Sequence, residues 1–235
     1  MGKYIIEKFE NAAALATTAA RNWLQRLSDH PSRNYYAAFS GGRIAKSFFA
    51  AITQEAKERR STLEPIHFFW ADERCVPPDD AESNFRIARE DLFQPLDIQE
   101  DQIHRIKGEL QPENAARMAS EEICRIVPAR KNEYPVLDII FLGMGEDGHV
   151  ASLFPRGREM PRQIYLPVVA SKPPPNRVTL SYEMIAHANE VWVLASGSGK
   201  ENALRESLSD QGTTPLAKVI RMRSKTTILT DTALS

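Results

Sequence analysis

The chain has 235 residues, a length that α/β folds commonly fill as one unit, so residues 1–235 are expected to form a single domain around a sizeable core. With 30 basic and 31 acidic residues it has no global field to draw it to nucleic acid or a membrane, and any anion must be met by a few placed cations. Two cysteines far apart in sequence, Cys75 and Cys124, point to a reduced, cytoplasmic protein rather than a disulfide-stapled one.

The opening MGKYIIEKFE lacks the basic start and long apolar core of a signal peptide, and no apolar run approaches the ~18 residues of a membrane span. Within it, Tyr4 to Ile6 reads as an edge strand. Asn11 then caps a helix to about Ser28, with Leu15, Ala19, Trp23 and Leu27 on one apolar face, and His30-Pro31-Ser32 closes it. Tyr35 to Phe39 is the next strand. It runs straight into Ser40-Gly41-Gly42-Arg43 and a helix from about Ile44 to Arg59. Strand, glycine turn and helix start together make a cradle for an anion, because free N–H groups and the positive end of the helix dipole face the turn. Taken alone such a turn is unspecific.

Ile66 to Trp70 is a third strand, and Asp72-Glu73-Arg74 follow at its carboxyl end. Ser83 or Asn84 caps a helix to about Phe93, Ile103 to Ile106 reads as a short peripheral strand, and Pro112 opens a helix to Ile126. Leu137 to Leu142 is an apolar run without helical period and reads as a strand buried on both faces. It breaks into Gly143-Met144-Gly145-Glu146-Asp147-Gly148, with His149 directly beyond. Glycines let a ligand approach the backbone closely, and an imidazole moves protons near neutral pH. The carboxyl end of a buried strand is also where open α/β sheets bind their ligands.

Past Pro155 a basic stretch, RGREMPR, precedes a strand from Ile164 to Ala170. Lys172 to Pro175 reads as a stiff extended connector to a strand over Asn176 to Leu180, and Ser181 caps a helical turn to about His187. Val191 to Ala195 is a further strand, and Ser196-Gly197-Ser198-Gly199-Lys200 opens a helix to about Leu208. A lysine at a helix N-terminus opposes the dipole unless an anion offsets both, which favours a ligand contact for Lys200. Ala217 to Ile220 and Thr226 to Leu229 read as short closing strands. The alternation predicts an α/β fold: a doubly wound, mainly parallel sheet with helices on both faces.

Several chemistries lose ground here. The histidines are scattered and form no HxH or HExxH pattern, so no metal is expected. No GxSxG announces a nucleophilic serine. GMGEDG matches the letters of GxGxxG, but His149 and Ser-Leu-Phe-Pro follow where a glycine-packed helix should run, so no nicotinamide cofactor is implied.

Four segments carry a resemblance. GMGEDGHVASLFP, WADERCVPPDDAESNF and KPPPNRVTLSYEMI resemble the 6-phosphogluconolactonases, the lactone hydrolases of the pentose phosphate pathway, and the GSGK turn is similar to that family's phosphate-binding lysine. The related glucosamine-6-phosphate deaminases are less similar, since they usually carry tyrosine at the position of Arg74. In one place the chain departs from the pattern. The family's SGGSTP loop is here SGGRIAK, so the hydroxyl pair and proline are missing, and Arg43 either replaces them with a charge-assisted bond to phosphate or points to solvent.

The resemblance implies a NagB/RpiA-like fold and a cofactor-free hydrolysis of 6-phospho-D-glucono-1,5-lactone. His149 is expected as general base on water, oriented by Asp147. Arg74, or N–H groups of the glycine turn, would face the growing oxyanion. Ser40, Gly41, Gly42, Arg43, Asp72, Gly148, Arg177 and Lys200 are the expected substrate and phosphate contacts. The expected partner is the phosphosugar lactone alone, bound by a monomer or weak homodimer. Two other readings stay open: a deaminase-like isomerase, and a catalytically silent sugar-phosphate sensor.

Overall fold

The computed structural model describes residues 3–29, 33–61, 63–157 and 162–233. The turn expected at His30-Pro31-Ser32 and residues 158–161 of the basic stretch lie outside them. The first half follows the predicted alternation: β1 (Tyr4–Lys8), α1 (Ala12–Ser28), β2 (Tyr35–Phe39), α2 (Arg43–Arg59) and β3 (Ile66–Trp70). Next come β4 (Asp72–Arg74), α3 (Asn84–Ala88) continued by a π turn over Arg89–Phe93, α4 (Pro112–Ile126), and a small ribbon of β5 (Arg130–Lys131) and β6 (Tyr134–Pro135). The remainder is β7 (Ile139–Gly143), β8 (Tyr165–Val169), β9 (Asn176–Leu180), α5 (Tyr182–His187), β10 (Glu190–Ala195), α6 (Glu201–Leu208), α7 (Pro215–Met222) and β11 (Thr226–Thr230).

Six strands form one parallel sheet in the order β1-β11-β10-β7-β2-β3. After β2 the chain builds outward to β3, then returns to place β7 on the other side of β2. The direction of winding therefore reverses between β2 and β7, and the crevice at their carboxyl ends is where such sheets bind ligands. Every residue of β2 is buried, which requires cover on both faces because successive side chains alternate. Beneath the crevice Trp23, Phe39, Phe48 and Phe141 pack ring on ring, with Phe48 and Phe141 centroids 4.7 Å apart and Trp23 edge-on to Phe39 at 5.7 Å. This apolar floor fixes the strands from which the site loops spring.

The structure corrects four expectations. Ala217 to Ile220 belongs to helix α7, not a strand: the Thr214 side chain accepts the Ala217 N–H, Pro215 takes the first turn, and Pro215, Leu216, Val219 and Ile220 bury one helical face. Ile103 to Ile106 contributes only a single bridge from Ile103 to Phe68, because the chain turns through a 3₁₀ segment at Glu100–Gln102 just before it. The strands near Ile164 and Asn176 do not join the parallel sheet. They pair antiparallel as β8 and β9, with β4 added on the other side of β9. Their connector is accordingly a hairpin rather than an extended spacer: the Ala170 N–H donates to Pro175 O at 2.7 Å, so the proline run turns the chain back.

Candidate active site

A cavity of about 330 Å³ opens at the reversal point, walled by the turns after β2, β7 and β10 and by the β4–β9 pair. Ser40, Gly41, Gly42, Arg43, Asp72, Arg74, His149, Arg177 and Lys200 all line it. Residues predicted from five separate stretches thus meet in one place. A larger cavity of about 590 Å³ lies at the opposite, amino ends of the strands. Both of its arginines are already paired, Arg26 on Glu190 at 2.5 Å and Arg33 on Asp138 at 2.9 Å.

The imidazole of His149 is placed by its own turn. Its Nδ1–H donates to Asp147 Oδ1 at 2.5 Å, and its backbone N–H donates to the same oxygen at 3.2 Å. An ionised carboxylate only accepts, so the ring proton sits on Nδ1 and Nε2 is left as a base. Burial works to raise the Asp147 carboxyl, but the bonds from His149 outweigh it and hold it below its ordinary value. Gly145 is required beneath the ring: a Cβ there would stand 2.1 Å from His149 Nδ1 and 2.8 Å from Asp147 Oδ1. Asp147 bonds His149 and does not itself line the cavity. Gly148, expected among the substrate contacts, uses its N–H on Gly145 O (3.0 Å) and its carbonyl on the Leu216 N–H (3.1 Å). It builds the turn and ties it to α7.

Arg74 and Arg177 are register partners across β4 and β9. Two guanidinium groups on facing positions repel unless an anion lies between them. Burial and the Arg74 charge both draw the Arg177 guanidinium below its ordinary value. Each is held from behind by a carbonyl: Arg74 Nη1 donates to Glu82 O at 2.5 Å and Arg177 Nε to Pro174 O at 3.1 Å. Phe154 packs against both Arg177 and His149, its ring 4.9 Å from the His149 ring and 5.7 Å from the Arg177 guanidinium carbon. Arg177, grouped by sequence with the phosphate contacts, lines the cavity beside Arg74. Asp72 is buried and accepts from Ser152 Oγ at 2.7 Å, which pins the chain just after His149 to the second sheet.

The other end of the cavity is the start of α2. Gly42 caps it with φ at +97°, and no side chain bonds its first N–H groups. Arg43 is its first residue, and Lys200 reaches the same wall from the turn after β10. Burial, then the Arg43 charge, lowers the Lys200 ammonium from its ordinary value, with Asp231 and Glu146 acting against them. Asp231 also accepts from Ser196 Oγ (2.7 Å) and the Gly197 N–H (3.0 Å), so it shapes that turn. Sequence reasoning missed it, since nothing local marks an aspartate just past the last strand. Asn84 was read only as part of a helix cap, yet it also lines the cavity.

Three buried polar atoms of this wall, Ser40 Oγ, Arg74 Nε and Asn84 Oδ1, have no hydrogen-bond partner among the described residues. Among the described residues no three His, Cys, Asp or Glu side chains converge as metal ligands. The remaining described histidines lie elsewhere: His67 and His104 bond each other at 2.9 Å, and His187 donates to Glu183 O. No helix of the described residues is long and apolar enough to cross a membrane.

Residues 10–229 match the family model described as glucosamine-6-phosphate isomerases/6-phosphogluconolactonase. A 6-phosphogluconolactonase of Treponema pallidum is 37% identical over 86% of this chain and 83% of its own length. One from Haemophilus influenzae is 33% identical over 76% and 74%. Among solved structures, a 6-phosphogluconolactonase from Trypanosoma cruzi superimposes with a TM-score of 0.85 at 28% identity, covering 98% of this chain and 96% of that one. A monomeric glucosamine-6-phosphate deaminase gives a TM-score of 0.80 at 17% identity, over 97% and 96%, a likeness of fold alone.

Proposed function

The chain belongs to the glucosamine-6-phosphate isomerase/6-phosphogluconolactonase family and is an enzyme that hydrolyses 6-phospho-D-glucono-1,5-lactone, and we propose that it does so with water activated by His149 and without a metal. The observation that carries this assignment is the 2.5 Å bond from His149 Nδ1–H to Asp147, which leaves Nε2 as the proton acceptor in the cavity.

The steps balance without any further reagent. Nε2 takes a proton from water as its oxygen bonds to C1 of the lactone, and the carbonyl electrons move onto oxygen. Arg74 and Arg177 face that oxyanion, where preorganised charge acts most strongly in the transition state. Collapse re-forms the carbonyl and breaks the bond from C1 to the ring oxygen, the imidazolium returns its proton there, and the new carboxyl loses its remaining proton to solvent, giving the open 6-phosphogluconate. Asp147 stabilises the imidazolium meanwhile. The 6-phosphate sits at the α2 N-terminus between Arg43 and Lys200, and its binding energy places C1 beside His149. We also read the protein as a cytoplasmic, single-domain monomer or weak homodimer acting in the pentose phosphate pathway.

The experiment is hydrolysis of freshly generated lactone, read against its spontaneous opening, with and without a chelator. Turnover well above background in both is expected. Loss of rate on chelation would overturn the metal-free chemistry, and binding of the phosphosugar without excess turnover would favour the sensor.

Gly145→Ala checks the geometry separately. The added methyl displaces the imidazole, and a misplacement of about 1 Å costs about 100-fold in rate. Turnover should fall by that order while thermal unfolding stays cooperative. A kcat equal to that of the parent would mean that the ring position above Gly145 does not matter to catalysis.

A further inference from the structure

We infer that Asn84 is a positioning residue for the phosphate cradle, clamped in place by Glu73, and that it tunes the preference for a phosphorylated lactone. This rests on the lactonase reading above.

Asn84 is 1% exposed and is tied on two sides. Its backbone N–H donates to Glu73 Oε1 at 2.8 Å, and its Nδ2 donates to Asp72 O at 2.9 Å. Those bonds fix which way the amide faces, and its oxygen is turned onto Gly41. A Cβ on Gly41 would lie 1.7 Å from Asn84 Oδ1, so the amide fills the space a side chain on Gly41 would need. The turn after β2 and the strand β4 are thereby held at one separation.

Glu73 explains why the wedge cannot drift. Its buried carboxylate accepts four bonds, from the N–H groups of Arg74 (2.7 Å), Asn84 (2.8 Å) and Phe85 (2.8 Å) and from Ser83 Oγ (3.1 Å). Two of those N–H groups would otherwise be orphans at the start of α3. The same carboxylate thus locks three cavity residues together: Arg74 through its N–H, Asn84 through its N–H, and Asp72 through the Asn84 amide.

Asn84 Oδ1 is buried and has no donor among the described residues; it meets Gly41 by contact, so the amide acts on the cradle through its shape.

The test compares kinetics on the phosphorylated and unphosphorylated gluconolactones with calorimetric binding of 6-phosphogluconate. In Asn84→Ala the ratio of kcat/KM between the two lactones should fall about tenfold, chiefly through KM, and the Kd for 6-phosphogluconate should rise by a similar factor. Asn84→Asp keeps the size but loses the donor to Asp72 O and sets a full negative charge beside the cradle, so it should weaken phosphosugar binding further. If Asn84→Ala fails to fold, Asn84→Asp carries the comparison alone. A lowered melting temperature with the substrate ratio and Kd unchanged would reduce Asn84 to a packing residue and overturn the inference. Failure of the lactonase reading shows differently, as a parent enzyme without turnover above background, and the calorimetric Kd still judges Asn84 in that case.

Discussion

Replacing His149 with alanine is expected to lower kcat by about 10²- to 10⁴-fold, the usual worth of a positioned general base, while KM moves by no more than about threefold. The direction of the split follows from where the ring sits. His149 has one nitrogen committed to Asp147 and the other free, and none of the cations proposed to meet the phosphate bonds to it. Removing it leaves the α2 N-terminus, Arg43, Lys200 and the arginine pair in place, so the lactone still binds and its oxyanion is still faced. Only the proton transfer is lost. Asp147→Asn should cost less than the alanine at His149, because Nε2 survives and only the tautomer and the stabilised imidazolium are disturbed. Steady-state kinetics on fresh lactone, corrected for spontaneous opening, decide the matter. A rise in KM with kcat preserved would move His149 from the chemistry to binding.

How much of this could be read from the sequence depends on the range of the interaction. The β7 turn and His149 were legible because strand, glycines, carboxylate and imidazole follow one another within a dozen residues. The cradle after β2 was legible for the same reason. The facing of Arg74 and Arg177 was not, since it depends on β4 and β9 pairing antiparallel across about a hundred residues of chain. Period alone cannot announce such a pair. Asn84 illustrates a different limit. Its Ser-Asn context fits a helix cap, and Ser83 does cap α3, but its amide carries a second task visible only against Gly41. Ala217 to Ile220 misled because a short apolar run fits strand or helix equally; Thr214 and Pro215, just before it, were the helix signal that decides.

Lys200→Ala is the second large effect expected, and it should appear in KM rather than kcat. Lys200 is largely buried at the foot of α6, and burial first, then the nearby Arg43 charge, lower its proton affinity. Such an arrangement is unfavourable when the site is free and is relieved when a phosphate dianion lies between the two charges. Losing one charge-assisted bond costs about 1.5–3 kcal/mol, and at about 1.4 kcal/mol per decade that is a rise of about 10- to 100-fold in KM. The pH dependence gives an independent check. Below its lowered pKa Lys200 is charged and ready to bind. As pH rises through that value, the free enzyme loses the proton, binding must recover it, and KM climbs. In Lys200→Ala the alkaline climb due to this group should vanish, leaving KM high but flatter. Arg43→Ala should act in the same direction, and it also tests whether the arginine has taken over from the hydroxyls missing in SGGRIAK. Unchanged KM and an unchanged alkaline limb in Lys200→Ala would remove the lysine from the phosphate end and leave the α2 N-terminus and Arg43 to hold the dianion alone.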